Sequence, residues 1–493
     1  MRRHVLAALL AAATSLFACA HDPGELPSSD ADGRASVASA LVPSATDVTI
    51  VGRKLVLDGH DYQVRGVDYS PIPIGGDNSS FWGPGNLDGH GGDIFAEPAY
   101  QEVLAKDVAQ MREMGVNTIR IYAMHPWDAQ KGPRAMRSHT KFLDMLWNGG
   151  DRPIRAYVAF PVSPGIFRYT RVSAPPTDGS FFVTTPEGDT FVADEARTEA
   201  GWAFNGQQTA AARRATDKRA FEALAEEVGS HPAVLGFVLS NELNLVQNRQ
   251  NPAFWAYMNE LGAAVKAKAP KKHTLMALID DSMQSLRIVK QKGFDVSNID
   301  VFGVNSYRGR LDPNASTNDF DHLFEELADV SDKPFVVTEF GAPATTRKEI
   351  LASLGAPVRP GSSPSLVSMC PNGAMVELPD RAKAQADYIE GHWKHIDANR
   401  DVVAGGLVFE WQDEYFKAGA HANAIETDVW HATPSKAASE AFPGGCWDEE
   451  GFGIHAVENR RGGAYFPGPG VQVVDGRTPR AAFDRLKVLW AKP

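Results

Sequence analysis

The chain has 493 residues, 43% hydrophobic and 22% charged, with a formal net charge of −12. That composition is ordinary for a soluble globular protein and can fill a large core. The acidic balance argues against nucleic acid and anionic membrane surfaces as partners, and no block of like charge is long enough to read as a solvated tail.

At the N-terminus, Arg2 and Arg3 precede an apolar run from Val5 to Ala18. The run is too short to span a bilayer and fits the core of a secretory signal. It ends in Leu16-Phe17-Ala18-Cys19, which resembles a bacterial lipobox. On that resemblance Cys19 carries lipid and becomes the mature N-terminus; a plain signal peptide is the other reading. Ala20 follows, which does not indicate retention at the inner membrane. The expected location is therefore an outer-membrane lipoprotein or a periplasmic or extracellular protein, with residues 1–19 as the signal. Residues 20–46 are small, polar and aperiodic, and read as a flexible tether. Only three cysteines are present. If Cys19 is lipidated, Cys370 and Cys446 remain; export permits a disulfide between them, and two free thiols are the alternative.

From residue 47 onward, strand-like and helix-like stretches alternate. A hairpin with Asp58-Gly59 at its turn leads into a first strand, Val64 to Tyr69. After a Gly-rich loop, Tyr100 to Met114 has helical spacing, with Val103, Val108 and Met111 on one face and Gly115 as the stop. "VNTIRIYA" is the second strand and "IRAYVAF" the third. An insertion follows, with a hairpin around Pro186 to Asp189, and then a helix from Ala210 to Val228. "AVLGFVLSNE" is the fourth strand, followed by a helix from Ala253 to Ala269. "TLMALI" is the fifth and "IDVFGVNSY" the sixth. A helix near Phe320 to Val330 precedes the seventh strand, "PFVVTEFG". A helix from Arg381 to Ala398 precedes the eighth, "AGGLVFEW", and a last helix covers Pro479 to Trp490. Eight apolar strands separated by helices predict a parallel sheet closed as a (β/α)8 barrel, with an N-terminal hairpin and long strand-to-helix loops. An open doubly wound sheet is disfavoured because no G-x-G-x-x-G or Walker sequence is present. Residues 47–493 are expected to form this one domain, as a monomer.

Functional groups of such barrels sit at the C-terminal ends of strands. There the sequence places Arg120 and Tyr122, Asn241 and Glu242, Asn305 and Tyr307, Glu339, and Glu410 with Trp411. Alternation predicts that Glu339 shares a face with Val337 and Phe335, and Glu242 with Ser240 and Val238. With those faces inward, two carboxylates, an arginine and a tyrosine converge over the barrel mouth. Paired carboxylates over one cavity suit glycoside hydrolysis.

The motifs "RGVDYS", "GVNTIRIYA", "VLGFVLSNE", "FGVNSY", "PFVVTEFG" and "GGLVFEW" resemble the clan A retaining glycoside hydrolases. Within the clan, the likeness is to fungal cell-wall β-1,3-glucanosyltransferases and bacterial glucanase-like relatives. The resemblance implies a β-glycosidic polysaccharide substrate, with a β-glucan ahead of a β-mannan or β-galactoside. It implies Glu242 as general acid/base and Glu339 as nucleophile. It further implies Asn241 on the sugar hydroxyl beside the anomeric carbon, Tyr307 donating to Glu339 and Arg120 placing charge beside it. Tyr69 and Tyr122 would contact the sugar, and Trp411 would be its stacking floor. Where the fungal enzymes tend to carry an acid after the second strand, this chain has His125.

No metal or other cofactor is expected, because no H-E-x-x-H or Cys-x-x-Cys pair exists. No G-x-S-x-G elbow is present to support a serine hydrolase. Asp413, Glu414 and Lys417 follow the eighth strand and read first as a solvated loop, second as cleft lining. The reading from a different class is a surface glycan-binding lipoprotein whose carboxylate pair is vestigial.

Overall fold

The computed structural model describes residues 47–72, 94–126, 138–162, 164–200, 207–308, 319–347, 375–377, 379–414, 432–434, 446–448, 451–458 and 476–491. Its centre is a closed barrel of parallel strands. They are β1 (Val64–Asp68), β2 (Thr118–Arg120), β3 (Arg155–Val158) and β4 (Val234–Asn241), then β5 (His273–Ile279), β6 (Val301–Asn305), β7 (Phe335–Phe340) and β8 (Val403–Val408). Each strand pairs with the next in chain order, and β8 closes onto β1. This is the (β/α)8 barrel that the alternating pattern predicts.

Helices follow the strands: α1 (Gln101–Met114), α2 (Thr140–Trp147), α3 (Ala210–Val228), α4 (Val246–Gln250), α5 (Pro252–Lys268), α6 (Gln284–Lys292), α7 (Asp319–Val330), α8 (Pro379–Ala398) and α9 (Ala481–Trp490). The apolar spacing of α1 buries Val103, Val108 and Met111, and Gly115 ends it in a left-handed conformation at φ 93°. On α5 the Asn251 side chain caps the Ala253 N–H at 2.9 Å, with Pro252 at the first helical position. Helices α2 and α6 were not foreseen; they are short and bury only a few side chains each.

Two apolar layers result. The outer one lies between strands and helices and includes Phe335, Val337, Phe237 and Leu239. The inner one fills the barrel with Val64, Tyr157, Val238, Leu275, Val301, Val336 and Leu407. Below it, the expected hairpin is a three-stranded meander: Thr49–Val51, Lys54–Leu57 and His60–Asp61. Its second turn is Asp58-Gly59, both at positive φ as a tight hairpin turn requires. Leu55 and Tyr62 plug the barrel floor, and the Tyr62 hydroxyl meets Thr118 Oγ1 at 2.8 Å. The insertion after β3 carries Tyr169–Val172, Phe182–Thr184 and Thr190–Ala193 as an antiparallel sheet, one strand more than the predicted hairpin.

Gly341, which closes the "TEFG" run just past the end of β7, sits where two backbones touch. A Cβ there would lie 1.9 Å from the Phe409 carbonyl oxygen. Glycine is what allows β7 and β8 to close together beside the site.

Candidate active site

Polar side chains from β1, β2, β4, β6 and β7 meet at the C-terminal end of the barrel. Arg120 is at their centre and only 1% exposed. Its Nη1 donates to Glu339 Oε1 at 2.9 Å and to the Thr338 carbonyl at 3.1 Å; its Nη2 donates to Asn241 Oδ1 at 2.6 Å. Burial opposes its charge, but Tyr122, Asp68 and Glu339 outweigh that and hold its pKa above the ordinary arginine value. Arg120 is a permanent cation.

Glu339 is held from three sides. Besides Arg120, the Tyr122 hydroxyl donates to Oε1 at 2.6 Å and the Tyr307 hydroxyl to Oε2 at 2.7 Å. Every one of these partners is a donor, so the carboxyl only accepts, which is the pattern of an ionised carboxylate. Burial raises the Tyr122 phenol well above its ordinary pKa; Arg120 opposes this, while Asp68 and Glu339 add to it. Tyr122 therefore keeps the proton it donates.

Glu242 joins the group through Asn305. Asn305 Nδ2 donates to Glu242 Oε1 at 2.9 Å and to Asn241 Oδ1 at 3.0 Å, while its Oδ1 accepts from Thr338 Oγ1 at 2.7 Å. Both Arg120 and Asn305 fall on Asn241 Oδ1, so the Asn241 amide nitrogen is the end left to donate to a ligand. Beside Glu242 is a cavity of about 230 Å³. Arg120, Tyr122 and Asn241 form its polar side, and Phe160, Val162 and Leu245 its apolar side.

Backbone irregularities bring these groups together. Glu242 has φ 56°, a left-handed conformation rare outside glycine. Val238 and Ser240 line the cavity as alternation predicts, and the kink at Glu242 brings Asn241 in alongside it. On β7 the predicted inward face is wrong. Val336 lies in the barrel interior and Thr338 reaches Asn305 there, whereas Phe335 and Val337 pack outward under the helices. Glu339 faces the site because the register shifts between β6 and β7 after Val337. Such a bulge re-aims one side chain.

Tyr69 and Trp411 are not brought to the mouth. Tyr69 is fully buried and its hydroxyl donates to Asp107 Oδ2 on α1 at 2.9 Å. Trp411 is also fully buried, its ring centre 4.1 Å from that of His455. Both turn toward the layer between β1, α1 and the C-terminal segment; Tyr69 does so because its neighbour Asp68 is the inward residue at the end of β1. The aromatic residue from the end of β8 that backs the site is Phe409, edge-on to Tyr122 and Tyr307 with ring centres at 6.4 and 6.3 Å. Asp413 and Glu414 are not a solvated loop. Each is 1% exposed, and Asp413 accepts two bonds from Arg480 at 2.6 and 2.8 Å. His125 is buried against Phe160, ring centres 5.6 Å apart. Cys19, Cys370, Lys417 and the Cys446 side chain lie outside the described residues.

Asn305, Thr338, Asp68 and Phe409 were not assigned roles from sequence. Alternation along β1 from Val64 through Gly66 would have found Asp68, whereas Asn305 was already placed at its strand end beside Tyr307 and lacked only a role. Among the described residues, no group of three or more His, Cys, Asp or Glu could hold a metal ion, and no helix is long and apolar enough to cross a membrane.

No family model matches the chain, and no curated protein matches it. Solved structures are similar in fold. A β-glucuronidase of Bacteroides uniformis aligns at TM-score 0.45 and 15% identity, over 89% of this chain and 36% of that one. Saccharomyces cerevisiae Gas2p, in complex with laminaritetraose and laminaripentaose, aligns at 0.46 and 14%, over 91% and 68%. A β-galacturonidase of Eisenbergiella tayi bound to galacturonate aligns at 0.47 and 12%, over 91% and 54%. The chain thus spans about a third of the glucuronidase and about half of the galacturonidase. The likeness is one of fold.

Proposed function

We propose that the protein is a retaining glycoside hydrolase or transglycosidase that cleaves β-linked polysaccharide. Glu339 is the nucleophile and Glu242 the general acid/base. The observation that carries this reading is the placement of the two carboxyls. Glu339 accepts from Arg120, Tyr122 and Tyr307, while Glu242, which accepts from the Asn305 amide, borders the cavity. A β-glucan as substrate rests on the likeness of the strand-end motifs.

In this mechanism a Glu339 oxygen attacks the anomeric carbon while Glu242 gives its proton to the departing glycosidic oxygen. Esterification removes the negative charge of Glu339, so Glu242 more readily stays ionised and then takes a proton from the incoming hydroxyl. Glu339 leaves as a carboxylate into the same three donors. Water as acceptor gives hydrolysis, and a sugar hydroxyl gives transfer. The Asn241 amide nitrogen supplies a donor to the sugar beside the reacting carbon.

The test is covalent trapping with fluoro-sugar inactivators of gluco, manno and galacto configuration, followed by peptide mapping. A sugar on the Glu339 peptide is the expected result, and the most reactive configuration identifies the substrate. Undiminished turnover of a β-glycan in both Glu339→Ala and Glu242→Ala overturns the reading, and the absence of any turnover or adduct favours a glycan-binding role.

A further inference from the structure

One buried carboxyl at the site takes no part in the double displacement. Asp68 ends β1, is fully buried, and has Oδ1 3.7 Å from Arg120 Nη1. Among the described residues, neither Asp68 oxygen receives a well-formed hydrogen bond. Arg120 directs its short contacts to Glu339, Thr338 and Asn241 instead. The Tyr122 hydroxyl also bears on Asp68, but it donates to Glu339 at 2.6 Å. Among the described residues, the charged and titratable groups facing Asp68 are Arg120 at the end of β2, Tyr122 just beyond it, Glu339 from β7 and Glu414 beyond β8. Two buried carboxyls thus share one guanidinium, and the donors are given to one of them. A sealed carboxylate without donors is strongly disfavoured.

We propose that Asp68 is a positioning residue that holds a proton in the resting enzyme, so that the charge of Arg120 is committed to Glu339. Burial first, then the fields of Glu339 and Glu414, push the Asp68 pKa well above the carboxylate range against the pull of Arg120. An ionised Asp68 would compete for Arg120 and Tyr122 and draw both away from Glu339. The proposal rests on Glu339 being the nucleophile.

Infrared difference spectroscopy of the whole protein tests the proton directly. At neutral pH the native protein is expected to show a carboxylic acid C=O band that Asp68→Asn lacks. Should that variant not fold, selective ¹³C labelling of aspartate shows that the band belongs to an aspartic acid, and its persistence in Asp107→Asn excludes Asp107, another fully buried aspartate whose pKa burial raises. In Glu339→Gln, Arg120 has lost its preferred partner, so the band should disappear at a lower pH than in the native protein. Kinetics supply the functional half. With an aryl glycoside whose leaving group needs no acid, the alkaline decline of kcat/KM should move to higher pH in Asp68→Asn. Absence of an aspartic acid band at neutral pH, or an unmoved alkaline limb, overturns the proposal. A band that titrates as stated while Glu339 takes no sugar overturns the catalytic reading of Glu339 alone.

Discussion

Replacing Tyr307 with phenylalanine removes the hydrogen bond that its hydroxyl gives to Glu339. The hydroxyl donates to Glu339 Oε2 at 2.7 Å, whereas Oε1 keeps Arg120 and Tyr122. The ring contacts with Phe409 and Phe452, at 6.3 and 5.8 Å between centres, do not need the hydroxyl. A bond to a charged group contributes about 1.5–3 kcal/mol. The loss falls mainly on the second step, where Glu339 must leave as a carboxylate and recover that donor. At about 1.4 kcal/mol per tenfold, deglycosylation should slow by roughly 10- to 150-fold. Attack is less affected, because the nucleophile loses charge as it bonds. Steady-state kinetics with an activated aryl glycoside should therefore show kcat and KM falling together while kcat/KM changes less. Mass spectrometry of acid-quenched turnover should show the glycosyl-enzyme accumulating. Equal losses in kcat and kcat/KM with no adduct, or a kcat within twofold of the native value, would refute the assignment of Glu339 as a leaving carboxylate held by Tyr307.

Tyr69→Phe should leave KM unchanged and lower unfolding free energy by about 1–3 kcal/mol, because it deprives buried Asp107 of a donor at 2.9 Å; a large rise in KM with unchanged stability would return Tyr69 to the cleft. Asp413→Asn should cost about 3–5 kcal/mol in chemical denaturation, since it removes the charge that accepts two bonds from Arg480, whose side chain is 2% exposed; a midpoint like that of the native protein counts against a structural pair. Burial, with Arg477 and Arg480 adding to it and the Trp411 carbonyl opposing, pushes His455 down to about 3 from 6.5. Between those values the unfolded chain binds a proton that the folded one refuses, so stability should fall as pH drops, at up to about 1.4 kcal/mol per pH unit from this group. His455→Asn should flatten that dependence in thermal melts, and an unchanged slope would show that His455 does not cause it.

The barrel was legible because its strands are buried on both faces and read as continuous apolar runs, with helices of clear spacing between them. Helices α3 and α8 were found nearly to the residue for that reason, whereas α2 and α6 carry too few buried positions to stand out from loops. Strand ends also located Arg120, Tyr122, Asn241, Glu242, Tyr307 and Glu339. Tyr69 and Trp411 failed because resemblance carried the residue type without its direction. Tyr69 lies next to Asp68, the position that faces inward, and a fully buried aromatic in the outer layer has the same letter as one that floors a cleft. The burial of Asp413 and Glu414 was hidden for another reason. Their environment includes residues 451–458 and 476–480, with the Arg480 pair and the His455 N–H···O=C bond to Trp411, which no local pattern announces.

The failure of alternation at β4 and β7 bears on function. Strict alternation allows each strand one inward side chain in every two, so a strand can present either Asn241 or Glu242, and either Thr338 or Glu339, but not both. The left-handed Glu242 and the shifted register after Val337 lift that restriction on two strands of the same barrel. Between them, on β6, Asn305 then has four neighbours to satisfy instead of two: its Nδ2 serves Asn241 and Glu242, and its Oδ1 accepts from Thr338 and lies 3.5 Å from Arg120. A left-handed non-glycine residue costs on the order of 1–3 kcal/mol. A network that fixes the proposed acid and nucleophile through one amide offsets that cost only if their relative position matters. Strain at Glu242 and a bulge at Glu339 are therefore better explained by a reacting pair than by two unrelated salt bridges at strand ends.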